Sequence, residues 1–296
     1  MSMTDVQRIR TGWKDYLELT KPKVVALLIL TALVGMLLAP HEGTPWTALI
    51  FGNLGIAMLA GAAAVINHVV DARVDAVMAR THRRPVAQGR VEPVKAMAFA
   101  AALGISGTAL LALQVNLLTT WLTLASLMGY AVIYTLLLKR ATPQNIVLGG
   151  LAGAAPPLLG WTAVTGEIHP HALLLVLIIF TWTPPHFWAL AIHRREDYAR
   201  AGIPMLPVTH GVRYTALQVL LYTILLLIVS LLPWLTGMSG PVYAVAATLL
   251  GFRFLQWALR MVYGADRLAP IRTFRFSITY LMLLFVALFA DRYLSV

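Results

Sequence analysis

Asn67, Asp71 and Asp75 stand four residues apart in Asn67-His68-Val69-Val70-Asp71-Ala72-Arg73-Val74-Asp75, at the end of a long apolar run. On a helix each fourfold step overshoots a full turn by about 40°, so the carboxamide and the two carboxylates line one slowly rotating stripe. Oxygens in that arrangement suit a hard cation, since magnesium takes one or two carboxylates together with substrate phosphate oxygens. Arg80, Arg83 and Arg84 come soon after, and guanidinium groups pair bidentately with phosphate. Stripe and arginines together point to a site for magnesium and a diphosphate. The alternative is a solvated helix end capped by Asn and Asp. Asn67 and His68, however, still belong to the apolar helix, where a polar group usually has a purpose.

The elements that must position this stripe can be read from composition. Of the 296 residues, 59% are hydrophobic and 12% charged, and the mean hydropathy is +0.76, which describes a polytopic membrane protein rather than a soluble domain. Apolar stretches near the ~20 residues that cross hydrocarbon admit nine helices, at 22–40, 47–66, 95–114, 117–138, 145–164, 171–190, 215–235, 241–260 and 275–293. The expected fold is all-α, a single transmembrane domain over 1–296 with helices around a cavity that opens near the cytoplasmic face.

The net charge of +11 is better explained by topology than by nucleic acid. Arg8, Arg10, Lys14, Lys21 and Lys23 precede the first span, and Arg73, Arg80, Arg83, Arg84, Arg90 and Lys95 lie between the second and third. Lys139 and Arg140, then Arg194, Arg195, Arg200 and Arg213, then Arg260, Arg267, Arg272 and Arg275 mark the other even-to-odd connections. The opposite connections hold no Lys or Arg, and only Arg292 falls at the far end. The positive-inside rule then puts the N-terminus in the cytoplasm and the C-terminus outside, with a bacterial inner membrane as the expected address. The first apolar run lacks a small-residue cleavage site and fits neither a signal nor a transit peptide. The absence of Cys excludes disulfides and thiolate metal sites.

Two inner connections are long and mix acids with bases, 67–94 and 191–214, so chemistry is expected where they meet the helix ends. Gly149, Gly150, Gly153 and Gly160 invite close backbone approach, while Pro156-Pro157 and Pro184-Pro185 free carbonyls within their spans. Trp46, Trp161 and Trp234 near the outer ends fit interfacial anchors.

The chain resembles the UbiA superfamily of intramembrane prenyltransferases, and within it the branch that modifies heme. Asn67-x-x-x-Asp71-x-x-x-Asp75 is similar to the superfamily's first acidic motif, and Met78 to Pro85 is similar to the segment just downstream of that motif. Leu138-Lys139-Arg140, Gly153 to Gly160, Pro185-His186-Phe187-Trp188 and Asp197 to Val208 resemble the heme branch. The resemblance implies transfer of farnesyl from farnesyl diphosphate to a vinyl group of heme b, with addition of water, giving heme O. It implies Asn67, Asp71, Asp75, Lys139 and Asp197 as catalytic, the first three as ligands of Mg2+. Arg80, Arg84, Arg140, His186, His193, Tyr198 and Arg200 are the implied substrate contacts. His68, His186 and His193 are candidates for heme iron or propionates, with His186 foremost. Many superfamily members carry a second Asp four residues after the first in the later loop; here Asp197 is followed at that spacing by Ala201, so the first stripe is the principal metal site. The implied partners are farnesyl diphosphate, heme b and the bilayer, with heme A synthase or a terminal oxidase downstream. An aromatic or quinone-precursor acceptor is the enzymatic alternative and a carrier or channel the other; clustering of acids and bases at the cytoplasmic side favours catalysis.

Overall fold

The computed structural model describes residues 12–294 apart from Arg80 and Ala265, without the side chains of Arg140 and Tyr293. A short helix α1 (Trp13–Leu19) meets α2 (Pro22–Leu38) at 51°. Beyond these lie α3 (Ala48–Val70), α4 (Ala72–Val77), α5 (Pro93–Gln114) and α6 (Leu117–Leu138). The single turn α7 (Lys139–Ala141) leads into α8 (Asn145–Ala154) and α9 (Pro156–Thr165), which share one span. Next come α10 (Pro170–His193), α11 (Arg195–Arg200), α12 (Leu206–Thr209), α13 (Gly211–Leu235), α14 (Pro241–Val262) and α15 (Ala269–Leu294). No strand occurs among the described residues.

Among the described residues eight helical spans are long and apolar enough to cross a membrane, or nine when the bent pair α1–α2 is taken as one span. All nine expected spans are found, shifted by a few residues at their ends. Proline opens α2, α5, α9, α10 and α14, at the position where its missing N–H costs nothing and its fixed φ favours the first turn. The strict alternation of spans gathers the starts of α2, α5, α8, α13 and α15 and the ends of α3, α6, α10 and α14 at one edge of the bundle. The two long mixed-charge loops hang from that edge.

Close packing sets the bundle's shape. Helix α3 packs on α5, α2 on α9, and α10 on α8, α13 and α15. At the α2–α9 crossing, a Cβ on Gly35 would overlap the carbonyl of Pro157 and one on Gly160 the carbonyl of Ala32, so only glycine lets the two backbones touch. Gly149 and Gly150 likewise face Tyr134 and Thr183, whereas Gly153 has nothing within 4 Å and is not a packing glycine. Pro184 and Pro185 do not break α10, which runs continuously through them.

Several polar groups inside the spans are paired with one another. The Ser230 hydroxyl bonds the Tyr280 hydroxyl at 2.7 Å, and the Tyr243 hydroxyl donates to the Ser230 carbonyl at 2.7 Å. At the outer edge the buried carboxylate of Asp291 accepts from the amides of Gly240 and Tyr243, holding the first turn of α14. Trp46 and Trp234 are 66% and 45% exposed, as interfacial anchors should be, but Trp161 is only 2% exposed. It stacks on His169 with ring centroids 5.3 Å apart, so its amphipathic ring serves the core and not the membrane interface.

Gly160→Leu should lower the thermal unfolding temperature of the detergent-purified protein by an amount corresponding to about 1–3 kcal/mol of overpacking, while Gly153→Ala should leave it unchanged. Equal melting of the two variants would contradict the α2–α9 contact.

Candidate active site

The stripe keeps its helical phase past the end of α3. The amide of Asp71 bonds the Asn67 carbonyl at 3.0 Å and that of Asp75 bonds the Asp71 carbonyl at 2.8 Å, so the tightening at Asp71 does not rotate the face. Asn67, Asp71 and Asp75 are each less than 5% exposed.

Each acid is met by a cation from another part of the chain. Lys139 donates to Asp71 Oδ2 at 2.6 Å, and Arg84 Nη1 donates to Asp75 Oδ2 at 2.6 Å. Asn67 Nδ2 donates to Asp71 Oδ2 at 2.7 Å and to Thr135 Oγ1 at 3.4 Å. The two pairs Asn67–Thr135 and Asp71–Lys139 are both 68 residues apart in sequence, so α3 and α6 run in parallel and are joined by two rungs one turn apart. The inner half of α6 is a widened π-helix from Gly129 to Leu138, in which the Thr135 hydroxyl bonds the Tyr130 carbonyl five residues back at 2.7 Å. Such widening often accompanies functional sites. Lys21 completes the ring, donating to Asn67 Oδ1 at 2.5 Å.

Lys21 and Thr135 are the functional residues that sequence reasoning missed. Lys21 is the one non-glycine among the described residues with positive φ, at 52°. It immediately precedes proline, a position normally held extended, and strain of this kind collects at sites whose surroundings enforce it. The Lys-Pro dipeptide at the head of the first span was the available signal. Thr135 gave none, since a threonine in an apolar helix usually bonds its own backbone.

The loop after α3 is folded back on the stripe. Successive main-chain bonds wind Met78, Thr81 and Arg84, the Thr81 hydroxyl donates to the Asp75 carbonyl at 3.4 Å, and Arg90 bonds both Asp15 and Glu18 of α1. Within this enclosure Asp71 Oδ1 is buried with no partner among the described residues, and so are both ring nitrogens of His68. An unpartnered carboxylate oxygen beside a second carboxylate and a carboxamide is the hard donor set that magnesium takes, and the residues present therefore fit that ion.

The second loop is arranged differently. Asp197 accepts a hydrogen bond from Arg200 at 2.6 Å and forms an ion pair with Arg194 at 3.5 Å, both on its own loop. Tyr198 is buried in a cluster with Met78, Trp188, Ile203 and Met205, which locks the two loops together. A cavity of about 550 Å³ opens between them, lined by Val70, Arg73, Val77, Pro93 and Arg200. His193 is exposed at the end of α10. His186 is buried between α10 and α15, its Nδ1 2.6 Å from Ser277 Oγ and its ring stacked on Trp182 and Phe274. The structure thus brings together Asn67, Asp71, Asp75, Lys139 and Arg84. Among the described residues no hydrogen bond or ion pair links that group to Asp197, Arg200 or His186. Arg80 and the side chain of Arg140 lie outside the described residues.

Residues 28–287 match the model of the UbiA prenyltransferase family. The chain belongs to that family. Curated relatives include a protoheme IX farnesyltransferase of Hahella chejuensis, 68% identical over 96% of this chain and 95% of that one. Another, of Marinobacter nauticus, is 67% identical over 96% and 94%. Among solved structures, a digeranylgeranylglyceryl phosphate synthase shares the fold with a TM-score of 0.78 at 18% identity, covering 94% of this chain and 97% of that one. A UbiA homolog from Archaeoglobus fulgidus, bound to GPP and Mg2+, has a TM-score of 0.62 at 15% identity over 93% and 99%. This UbiA-family chain therefore carries the family's helical fold, and structures of that fold bind Mg2+.

Lys139→Met strands the buried Asp71 charge and should cost about 3–5 kcal/mol of stability. Adding Asp71→Asn to it should recover most of the loss. A double variant no more stable than the single one, by unfolding in detergent, would contradict the ion pair's role.

Proposed function

We propose that the chain transfers the farnesyl group of farnesyl diphosphate to a vinyl group of protoheme IX (heme b), with addition of water, releasing heme O and diphosphate. The observation that carries this reading is the pair of buried carboxylates at the inner helix ends, each held by its own cation. It is supported by the name shared by relatives about two-thirds identical over nearly the whole chain. All of 1–296 acts as one transmembrane prenyltransferase domain.

Asn67, Asp71 and Asp75 would hold magnesium, which as a Lewis acid neutralises charge on the departing diphosphate. Lys139 and Arg84 hold the carboxylates in place until substrate arrives, and then turn their donors to the phosphate oxygens. Lys21, bonded to Asn67, adds a donor to the same region, and Arg80 is a further proposed contact for the diphosphate. Preorganised donors of this kind lower the barrier because they need no rearrangement as charge develops. The allylic C–O bond breaks with its electron pair leaving on diphosphate, and the vinyl π electrons form the new C–C bond. Water then adds to the remaining vinyl carbon and gives up a proton. The farnesyl tail lies among the apolar helices, which keep water from its cation until the vinyl group attacks.

The heme side of the site rests on the second group of residues. Arg200, with a side chain 68% exposed, borders the interloop cavity and meets a propionate, while Asp197 and Tyr198 hold its loop in place; Arg140 is a further cation proposed for the propionates. His186, His193 and His68 are the candidate contacts for heme iron or propionates, with His186 foremost. The enzyme lies in a bacterial inner membrane, N-terminus in the cytoplasm and C-terminus in the periplasm, and hands its product toward heme A synthase or a terminal oxidase.

The test is mass and absorbance analysis of heme extracted after incubation of the purified protein with heme b, farnesyl diphosphate and Mg2+. Heme O is the expected product, and Asp71→Ala and Asp75→Ala should each reduce it by at least about a hundredfold while remaining folded. Chelation with EDTA should stop turnover and added Mg2+ restore it. Heme O at wild-type levels from both variants would refute the site assignment.

A further inference from the structure

Helix α14 carries a second set of cations, far from the stripe and unused by the reaction. Arg253, Gln256, Trp257 and Arg260 succeed one another at helical spacing along one face. Arg253, Gln256 and Arg260 are exposed, while Phe254 on the opposite face is fully buried. Arg253 lies nine residues before Val262, about 14 Å from the inner end of the helix at 1.5 Å per residue. Its guanidinium reaches toward that end and donates to Gln256 Oε1. It lies 5.1 Å from the centroid of the Trp257 ring, and the guanidinium of Arg260 lies over the same ring at 4.8 Å. Two positive groups thus converge on one indole at a lipid-facing surface.

Among the described residues no carboxylate answers them. Helices α13 and α15 pack on α14. The first has no acid, and the second has only Asp291, at the opposite edge and bonded to Gly240 and Tyr243. Asp266 in the next loop is paired with Arg272 at 2.8 Å. A charge at this depth needs a counterion, because hydrocarbon offers none. The same face continues outward as Phe252, Leu249 and Val245, which are 57%, 66% and 60% exposed. Apolar toward the outer leaflet and cationic toward the inner edge, the stripe has the polarity of a phospholipid with its headgroup at the inner surface.

We infer that α14 binds an anionic phospholipid of the inner leaflet, its phosphate seated between Arg253 and Arg260 over Trp257 and its acyl chains along Phe252, Leu249 and Val245. This inference is independent of the farnesyl transfer reading. An acidic transmembrane partner is the competing occupant, but the continuous exposed apolar track beyond the arginines matches acyl chains directly, and the bilayer is always present.

The full-length protein would be reconstituted in nanodiscs containing phosphatidylglycerol and phosphatidylcholine at equal mole fraction, and the lipids it retains measured by native mass spectrometry. Wild type should be enriched in phosphatidylglycerol. Enrichment should fall about fivefold for each guanidinium removed in Arg253→Gln and Arg260→Gln, the factor equivalent to ~1 kcal/mol per basic residue at an anionic surface. Equal retention of the two lipids by wild type would overturn the inference, as would an Arg253→Gln/Arg260→Gln variant that retains phosphatidylglycerol unchanged. So would an acidic membrane protein that copurifies with wild type and is lost from the double variant without change in lipid. If the glutamine variants do not fold, quenching by brominated lipids supplies the test. The component lost in Trp257→Phe should be larger with brominated phosphatidylglycerol than with brominated phosphatidylcholine, and equal quenching would overturn the site.

Discussion

Two carboxylates buried at the edge of a membrane must each keep a cation, and the active end of this protein is organised by that requirement. Removing a charged group from water is costly, and an opposite charge at hydrogen-bond distance is what makes the buried form tolerable. Asp71 takes Lys139 from the end of α6 and Asp75 takes Arg84 from the loop after α4. Asn67 takes Lys21 from the bend before α2. Three segments are therefore fixed to the stripe, two by ion pairs and the Lys21 bend by a hydrogen bond to a carboxamide, and each brings a donor to the place where diphosphate charge would develop. The same arrangement leaves Asp71 Oδ1 bare. The protein's own cations neutralise the site without filling it.

The rest of the bundle supports this end. Glycine contacts draw α2 against α9. The π-helical stretch of α6 sets Thr135 and Lys139 on the turns that face Asn67 and Asp71. Tyr198 and Met78 join the two inner loops through an apolar cluster, so the second loop is positioned against the first although their charged groups do not meet. At the other edge Asp291 does a purely structural task, capping α14. Acids at the two ends of the same bundle thus have opposite purposes: one set is left partly unsatisfied and the other is tied to backbone amides.

Much of this is legible in the sequence. Span positions can be read from hydropathy because hydrocarbon thickness fixes helix length, and the stripe from fourfold spacing because helical phase persists through Asp71. The clustering of Lys and Arg in alternate connections gives the arrangement of the loops. Contacts set by tertiary packing escape such a reading. Lys21 looks like one more basic residue of the inner edge, and its φ of 52° is invisible without the bend. Thr135 needs the π-helical register of α6. Trp161 sits near an outer helix end, which suggests the membrane interface, whereas packing against His169 places it in the core. Asp197 can be separated from the metal site only in part, through Ala201; its pairing with Arg194 and Arg200 is the structural reason a second acidic pair is not needed there to hold the loop.

The central claim is that Asn67, Asp71 and Asp75 form the principal divalent-metal site and that it is completed by a diphosphate. Crystals grown with Mn2+ and a non-hydrolysable farnesyl thiolodiphosphate would test it through anomalous scattering. The account predicts a strong manganese peak against the oxygens of Asp71 and Asp75, with Lys139 and Arg84 turned toward the diphosphate. A peak at Asp197 alone, or diphosphate bound with Lys139 still on Asp71 and no metal at the stripe, would contradict it.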